Sequence, residues 1–430
     1  MGANLTEPVR IGIVGAGNRG RNHAARYETI PGTEVVAVAD VDEPKAQALA
    51  ERYGAESYPA HAAMLAESDL DAVNVCVHAT LHADIAVDAL EAGAAVFCEK
   101  PMADDYAAAR RMADAADRTG NALAVQNQLL YTKETLAAKS LADAGALGEV
   151  YHGTAARSPG LAFSGEGHPE AVPLGARRRG TPYVDGYGSP AFLDESAAGG
   201  GVVLDLGSYT VGQLLYLMGS AKRSAGDTAG DASPADRSSA LEIPEVERVR
   251  AETFRTVPDR FERTADADRG EQASEYRRRI DETGYDVEDV AVAFVTLADG
   301  SVLSVRTSWS RYMEGESSAL VGTRGGVRLD PFEYYATVGD VEMRASADLE
   351  EYLFRRQYLR GERGEAAYDA GLWADPLYHW VADLLGHREA PPTADLALES
   401  MAVTDGIYRS ADLGREVTRE EIVAPGDAED

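Results

Sequence analysis

Lysine is scarce in this chain, since only five of its 41 basic residues are lysine and arginine supplies the others. Cysteine is scarcer still: Cys76 and Cys98 both lie in apolar runs, and two cysteines make no disulfide framework. No run approaches the roughly eighteen apolar residues of a membrane span, and no basic-then-apolar signal segment opens the chain. The composition therefore favours a reducing cytoplasm and excludes a membrane as a partner.

Positive charge is also lacking. The 72 acidic residues outnumber the 41 basic ones, which gives a formal net charge of -31. Such an excess repels nucleic acid and anionic lipid surfaces, so neither is expected as a partner. The acidic residues are spread along the whole chain rather than collected in a tail. Together with the scarcity of lysine, this spread predicts a halophilic origin, where salt screens the self-repulsion.

The first 128 residues alternate between short apolar runs and helical stretches. The expected strands are residues 9–14, 34–39, 72–77, 94–98 and 122–126, and the expected helices are residues 21–29, 43–53, 82–92 and 104–119. Nearly continuous apolar strands that alternate with helices predict a parallel sheet covered on both faces and built of right-handed crossovers. Residues 1–128 are therefore predicted to form a doubly wound α/β domain of the Rossmann type.

The pattern changes in residues 129–430. Strands are expected at residues 148–154, 245–255, 287–297, 301–308 and 326–329, and helices at residues 199–218, 377–385 and 394–410. Ala298-Asp-Gly300 between two strands is a strong hairpin signal. Strands joined by hairpins predict an α+β C-terminal domain with a mostly antiparallel sheet. Residues 219–240 have no apolar period and are predicted to be a mobile loop insertion.

A glycine-rich turn, Gly15-Ala-Gly-Asn-Arg-Gly20, follows the first strand and opens the first helix. Asp40 ends the second strand, twenty residues beyond Gly20. This is the full dinucleotide pattern, in which the glycines let a pyrophosphate approach a helix N-terminus and the acid takes the ribose hydroxyls. Asp42 follows Asp40, and no arginine comes close after the strand, so NAD is favoured over NADP.

Lys100 stands between Glu99 and Pro101, just after the fourth expected strand. A lysine can relay a proton near neutral pH when its pKa is lowered, and an arginine cannot; the alternative is a solvated lysine at a strand end. His82 begins a helix at the same sheet edge. It either hydrogen-bonds cofactor or substrate, or orients the turn. The candidate cofactor-binding residues are Gly15, Gly17, Asn18, Arg19, Gly20, Asp40, His82, Glu99 and Lys100.

A third motif is Gly199-Gly-Gly-Val-Val-Leu-Asp205-Leu-Gly-Ser-Tyr209. In a helix, Asp205 and Tyr209 lie four residues apart on one face. A carboxylate and a phenol that project together can bind a hydroxyl group and take its proton. The alternative is an ordinary hydrogen bond between the two side chains on a helix surface. No metal site is predicted anywhere in the chain.

The order of these motifs resembles the glucose–fructose oxidoreductase / inositol dehydrogenase (Gfo/Idh/MocA) family. The resemblance covers nearly the whole chain, including residues 89–93, 145–150 and 410–417, and is weakest over residues 219–285. It implies a nucleotide-binding domain, a C-terminal domain whose open sheet covers the active site or forms a homodimer or homotetramer, and NAD(P)-dependent hydride transfer at a sugar, polyol or related hydroxyl.

The resemblance also implies roles for individual residues. Lys100 corresponds to the catalytic lysine of the family and Asp205 to its usual aspartate. Tyr209 stands where most members have histidine, and Gly212 where many have another aspartate. A tyrosine at this place is similar to the glucose–fructose oxidoreductase and dihydrodiol dehydrogenase branches, so a simple inositol dehydrogenase is not expected.

Two proton-transfer schemes remain open. Tyr209 takes the hydroxyl proton with the Lys100 ammonium favouring the phenolate, or Lys100 takes it directly. Asp205 holds Lys100 or a substrate hydroxyl. Arg177-Arg-Arg179 either lines the rim of a pocket or pairs with surface carboxylates. Two other functions are also open: cleavage of glycosides through transient oxidation by bound NAD, and non-catalytic dinucleotide sensing.

Overall fold

The structure is a computed structural model of the chain. It describes residues 8–157, 193–221, 241–256, 285–309, 317–353, 374–387 and 389–424. These residues form two compact units. The first takes its residues from 1–144, 219–243 and 347–398, and the second from 145–218, 244–346 and 399–430.

Up to residue 157 strands and helices alternate. In chain order they are β1 (Val9–Val14), α1 (Asn18–Tyr27), β2 (Thr33–Ala39), α2 (Glu43–Tyr53), β3 (Glu56–Tyr58), α3 (His61–Glu67), β4 (Ala72–Val75), α4 (His82–Glu91), β5 (Ala95–Cys98), α5 (Tyr106–Thr119), β6 (Leu123–Val125), α6 (Lys133–Asp143) and β7 (Val150–Arg157). Short 3₁₀ turns lie at Ala79–Leu81 and Gln128–Tyr131.

The described residues after 157 are mostly strands. In chain order the elements are α7 (Glu195–Ala198), a π-helical turn (Val203–Gly207), α8 (Ser208–Met218), β8 (Ser220–Ala221), β9 (Leu241–Glu242), β10 (Val246–Phe254), β11 (Val290–Leu297), β12 (Val302–Ser308), β13 (Ala319–Gly322), β14 (Gly325–Arg328), β15 (Glu333–Val338), β16 (Val341–Ala345), α9 (Pro376–Leu384), α10 (Thr393–Leu413), β17 (Val417–Thr418) and α11 (Arg419–Val423).

The first unit is built on a six-stranded sheet in the order β3-β2-β1-β4-β5-β6. All five strand pairs are parallel, as predicted. Strands β4 and β5 are buried along their whole length, because helices cover both faces of such a sheet. The carboxyl ends of β1, β2, β4 and β5 share one edge, which is where open α/β sheets bind ligands.

Helix α9 joins the hydrophobic core of this first unit. Leu377, Trp380 and Val381 are buried in one cluster with Ile11 and Phe97 of the sheet. The Phe97 and Trp380 rings lie 5.2 Å apart between centroids. The structure therefore differs from the predicted division at residue 128, because residues far along the chain bury their apolar side chains against the N-terminal sheet.

The second unit contains a nine-stranded sheet in the order β16-β15-β14-β13-β7-β12-β11-β10-β17. The β12–β7 pair is parallel and the other pairs are antiparallel. The predicted hairpin at residues 298–300 is confirmed, since it joins the antiparallel strands β11 and β12, and Gly300 has a φ of +85°. The α+β prediction with a mostly antiparallel sheet is confirmed.

Several short elements were not predicted. Strand β3 has three residues, two of them exposed, so it shows no apolar period. Strand β16 alternates between apolar and polar residues but is exposed along its whole length. Residues 222–240 of the predicted loop insertion lie outside the described residues. Among the described helices, none has the length and hydropathy to cross a membrane.

Candidate active site

Two of the three turn glycines are required by close packing within the first unit. Gly15 has a φ of +99°, and a Cβ atom on it would lie 2.4 Å from the Cys76 carbonyl oxygen. A Cβ on Gly20 would lie 1.8 Å from the Gly15 carbonyl oxygen. A side chain at either position would separate the first turn of α1 from β1 and β4.

Gly17 is different, because a Cβ built on it meets no atom within 4 Å. It is the N-cap residue of α1, and it makes no side-chain cap hydrogen bond to the N–H groups of that helix end. Free backbone N–H groups and the positive end of the helix dipole attract an anion. The exposed residues Asn18 and Arg19 begin the helix beside this opening. The space and the donors fit the pyrophosphate of a dinucleotide.

Asp40 lies at the same edge, immediately after β2. Its Oδ2 accepts a hydrogen bond from the Ala16 N–H at 2.6 Å, and its Oδ1 accepts one from the Asp42 N–H at 2.8 Å. These bonds hold the carboxylate against the glycine turn. An ionised carboxylate has about four lone-pair positions, so two remain for ribose hydroxyls. The structure thus brings the predicted glycine turn and the predicted acid together.

Beneath the turn lies a buried ion pair that was not predicted. His23 on α1 places its Nε2 atom 2.9 Å from Glu99 Oε1, and both side chains are about 6 % exposed. The other ring nitrogen lies 2.8 Å from Asn74 Oδ1 and 3.5 Å from Cys76 Sγ. No local pattern shows this cluster, because its members come from one helix and from the carboxyl ends of two strands.

Both partners of the pair have shifted pKa values. Burial opposes ionisation of Glu99, but the hydrogen bond and charge of His23, with Arg19 and Lys100, lower its pKa to about 2. Burial likewise opposes protonation of His23, but Cys76 and Glu99 beside its ring raise its pKa well above the usual value. Glu99 therefore faces the interior and His23, which differs from the predicted cofactor contact.

His82 is buried and holds two loop segments together. Its Nδ1 lies 2.9 Å from the Pro101 carbonyl oxygen, and its Nε2 lies 3.1 Å from the Val77 carbonyl oxygen. Burial lowers the pKa of His82. With both ring nitrogens directed at main-chain oxygens, His82 orients the turns at the sheet edge. Of the two roles predicted for His82, these contacts correspond to orientation of the turn rather than to a hydrogen bond with the cofactor.

Lys100 follows Glu99 at the end of β5 and is half-buried. Its backbone N–H donates to Glu99 Oε2 at 3.2 Å. The carboxylate that pairs with His23 therefore also accepts a hydrogen bond from the main chain of the candidate catalytic lysine. The structure thus places Lys100 at the edge that holds the glycine turn and Asp40. The main chain of Lys100 is bonded to the Glu99 carboxylate of the buried ion pair.

In the second unit, Asp205 lies in the π-helical turn rather than in a regular α-helix. Single π turns within helices are frequent at functional sites. Asp205 is half-buried, and its Oδ2 accepts a hydrogen bond from Trp309 Nε1 at 3.0 Å. The indole of Trp309 is itself 2 % exposed. The carboxylate is therefore held in one orientation by a residue that the sequence did not indicate.

Tyr209 lies one turn further on, in α8, and is buried. The Arg157 guanidinium lies 5.0 Å from the centroid of its ring, within the range of a cation–π contact. Gly212 is buried in the same helix.

The candidate rim at residues 177–179 lies outside the described residues. Among the residues that are described, no group of three or more His, Cys, Asp or Glu side chains is arranged to hold a metal ion.

Two family models match the chain. Residues 9–127 match the oxidoreductase family with an NAD-binding Rossmann fold, and residues 135–328 match the GFO/IDH/MocA C-terminal domain. The first match ends shortly after β6, the second begins in α6, and together they cover most of the chain.

Similar proteins agree with these models. D-glucoside 3-dehydrogenase of Escherichia coli is 29 % identical over 339 residues, which are 77 % of this chain and 80 % of that protein. Inositol 2-dehydrogenase 3 of Saccharopolyspora erythraea is 37 % identical over 142 residues, or 33 % of this chain and 42 % of that one. GenD2 from gentamicin A biosynthesis, solved with NAD, is 23 % identical, covers 97 % of this chain and 98 % of its own, and has a TM-score of 0.62.

Proposed function

Since this chain belongs to the Gfo/Idh/MocA family of NAD-binding oxidoreductases, we propose that it transfers a hydride between NAD and a hydroxyl group of a sugar, a polyol or a related compound. The observation that carries the proposal is the uncapped N-terminus of α1, where the space above Gly17 is open and Asp40 lies against the turn. The named sugar and inositol dehydrogenases among its relatives support the substrate class.

The residues that would hold NAD lie at one edge of the first sheet. Backbone N–H groups from Gly17 onward would bind the pyrophosphate, and Asp40 would accept hydrogen bonds from a ribose. The carboxylates of Asp40 and Asp42, two residues apart, would repel a 2'-phosphate, which supports NAD over NADP. Bound NAD supplies a hydride acceptor at C4 of its nicotinamide.

We assign the catalytic roles to Lys100, Asp205 and Tyr209. Either the Tyr209 phenolate or the Lys100 amine takes the proton of the substrate hydroxyl as its carbon loses a hydride. The products are a carbonyl compound, NADH and one proton. Asp205, oriented by Trp309, accepts a hydrogen bond from a second substrate hydroxyl. Tyrosine in place of the usual histidine supports a place in the tyrosine-containing branches of the family.

The experiment is a screen of sugars, polyols and glycosides with the purified chain, following NADH at 340 nm. It is run at low salt and in molar KCl, because the charge of -31 supports adaptation to high salt. We expect steady NADH formation with at least one compound, faster with NAD than with NADP. Cleavage of a glycoside with no net NADH would show the transient-oxidation reaction instead. NAD binding without any turnover would indicate a sensor.

We also propose that the chain forms a homodimer or homotetramer through the second sheet. On β11, exposed Val292 and Phe294 alternate with buried Ala291, Ala293 and Val295. Large apolar side chains exposed together on a sheet face mark a protein contact surface. This surface supports a second copy of the chain as the partner.

A further inference from the structure

The helix that carries Asp205 and Tyr209 begins against a glutamate from another part of the second unit. Glu288 Oε2 accepts a hydrogen bond from the Gly201 N–H at 2.9 Å, and its Oε1 accepts one from the Val203 N–H at 2.9 Å. The Glu288 main-chain oxygen accepts from the Val202 N–H at 3.2 Å. One residue thus satisfies three successive donors at a helix N-terminus, where such groups otherwise lack partners.

The glycines before this helix make the approach of Glu288 possible. A Cβ on Gly201 would lie 2.1 Å from the Glu288 carbonyl oxygen, and one on Gly200 would lie 2.2 Å from the Tyr408 hydroxyl oxygen. Any larger residue at either position would push the cap away. Gly199 has a φ of +77° and ends α7. The three glycines therefore serve the packing of the helix end.

Tyr408 completes the arrangement. Its hydroxyl donates to Glu288 Oε1 at 2.9 Å, so the carboxylate accepts three hydrogen bonds in all. A negative charge at a helix N-terminus is favourable because of the helix dipole. Burial raises the pKa of Glu288 and opposes that charge, while the bonds from Val203, Tyr408 and Gly201 favour it.

The next residue in the chain reaches the same helix by a second route. The Asp289 carbonyl oxygen accepts from the Trp309 N–H at 2.9 Å, and Trp309 donates its indole N–H to Asp205. The Asp289 carboxylate accepts from the Thr256 N–H and hydroxyl, each at 2.7 Å. Residues 288 and 289 thus connect both to the start of the helix and to the side chain of Asp205.

We propose that Glu288 is a positioning residue for the reaction, since its carboxylate fixes the helix turn that places Asp205 and Tyr209. This role rests on the proposed function of those two residues. Glu288 contacts neither substrate nor cofactor in this proposal. Its carboxylate acts through the backbone N–H groups of Gly201 and Val203 at the helix N-terminus, and the Tyr408 hydroxyl supports it.

The test compares Glu288→Gln with Glu333→Gln in the full chain. Glutamine at 288 keeps the shape but directs an NH₂ group at a backbone N–H, so the first turn should loosen. We expect amide exchange in peptides covering residues 199–209 to be about tenfold faster or more. We also expect kcat to fall by roughly ten- to a hundredfold while the Kd for NAD is unchanged, because misplacement of a reacting group costs rate.

Glu333 is the matched control. It is also buried in the second unit, but it lies on β15, and its carboxylate accepts hydrogen bonds from the side chains of Arg328, Arg344 and Tyr335 rather than from a helix N-terminus. Glu333→Gln should lower the melting temperature and leave kcat and exchange at residues 199–209 unchanged. Tyr408→Phe, which removes one bond and leaves the cap, should give a smaller fall in kcat than Glu288→Gln.

The outcomes separate this proposal from the proposed function. Absence of turnover by the wild-type chain on every compound would overturn the function, and the exchange measurement would still decide whether Glu288 caps the helix. Exchange at residues 199–209 in Glu288→Gln equal to that of the wild type would overturn the positioning role. So would an equal loss of kcat in Glu333→Gln, since that would show general destabilisation.

Discussion

At the scale of single residues, the buried pair of His23 and Glu99 connects the glycine turn to the candidate lysine. Glu99 forms an ion pair with the His23 imidazole through Oε1 and accepts a hydrogen bond from the Lys100 main-chain N–H through Oε2. A buried ion pair gives little net stability, but removal of one partner leaves an uncompensated buried charge. The pair is therefore expected to set how stability depends on pH.

The first prediction concerns Glu99→Gln. The folded pKa of Glu99 is lowered from 4.5 to about 2. Its contribution to the free energy of unfolding is therefore present above about pH 4.5 and is lost as the pH falls toward 2. Because the folded pKa of His23 is raised above 6.5, its contribution is present below about pH 6.5 and is lost as the pH rises through the folded value. The variant should thus be destabilised most between about pH 4.5 and 6.5, by on the order of 3 kcal/mol.

Urea unfolding of the wild type and of Glu99→Gln at pH values from 3 to 9 measures the difference between their free energies of unfolding. Glu421→Gln is a suitable control, since its hydrogen bond with Arg415 also lowers the pKa of Glu421 to about 2, but on the surface. Solvent weakens such a pair, so the control should change stability little at any pH. A Glu99→Gln difference that does not vary with pH would show that the two groups are not ionised together.

The second prediction concerns the proton acceptor. Lys100→Met removes an ammonium, and Tyr209→Phe removes a phenol while keeping the ring that Arg157 covers. If Tyr209 takes the proton, both variants should lose roughly a hundred- to ten-thousandfold in kcat. Steady-state kinetics on the substrate found in the screen measures this. Nearly full kcat in Tyr209→Phe, with activity abolished in Lys100→Met, would make the lysine the acid/base.

At the scale of secondary structure, two helix beginnings define the proposed chemistry. Helix α1 begins at an open glycine with no side-chain cap, whereas the helix that carries Asp205 begins under the carboxylate of Glu288. Free N–H groups at a helix end attract an anionic ligand, and satisfied ones fix the helix in place. The two ends therefore have different functions, although glycines precede both.

The third prediction compares two glycines of α1. Gly20→Ala places a Cβ against the Gly15 carbonyl oxygen, so it should destabilise the fold by about 1–3 kcal/mol or more. Gly17 has an extended backbone with a φ of -68°, which alanine adopts freely, and open space around it. Gly17→Ala should therefore keep the melting temperature and weaken NAD binding by roughly tenfold or more, because the methyl group occupies the pyrophosphate position.

Thermal unfolding and NAD titration of the two purified variants separate these effects. Each variant serves as the control of the other, since one is expected to affect the fold and the other the ligand. Wild-type NAD affinity in Gly17→Ala would contradict the assignment of this helix end to the dinucleotide.

At the scale of the whole molecule, the exposed face of the second sheet makes a prediction about assembly. Phe294 is 51 % exposed and Val292 is 44 % exposed. If a second copy covers this face, Phe294→Glu should shift the chain from dimer or tetramer to monomer in light scattering after size exclusion. Leu413 lies at the end of α10 and is 49 % exposed, so Leu413→Glu is the matched control and should leave the assembly unchanged. A wild-type monomer would refute the proposal.

Local sequence patterns predicted the architecture well where they were strong. Buried strands such as Val9–Val14 and the turn at residues 298–300 carry their signals in adjacent residues, because burial on both faces and hairpin geometry restrict local composition. The prediction was less accurate for the helix that carries Asp205 and Tyr209. It was expected from residue 199, but it begins near Val203 with a π turn, which the periodicity does not show.

The sequence by itself determined the alternation of strands and helices, the glycine turn, the acid at position 40 and the excess of negative charge. Each of these depends on a residue and its near neighbours. Tertiary structure alone decided that Glu99 pairs with His23, that α9 joins the first core, and that Glu288 caps a helix 87 residues away. Such contacts form because folding brings distant buried polar and apolar groups together, and no local pattern records which of them will meet.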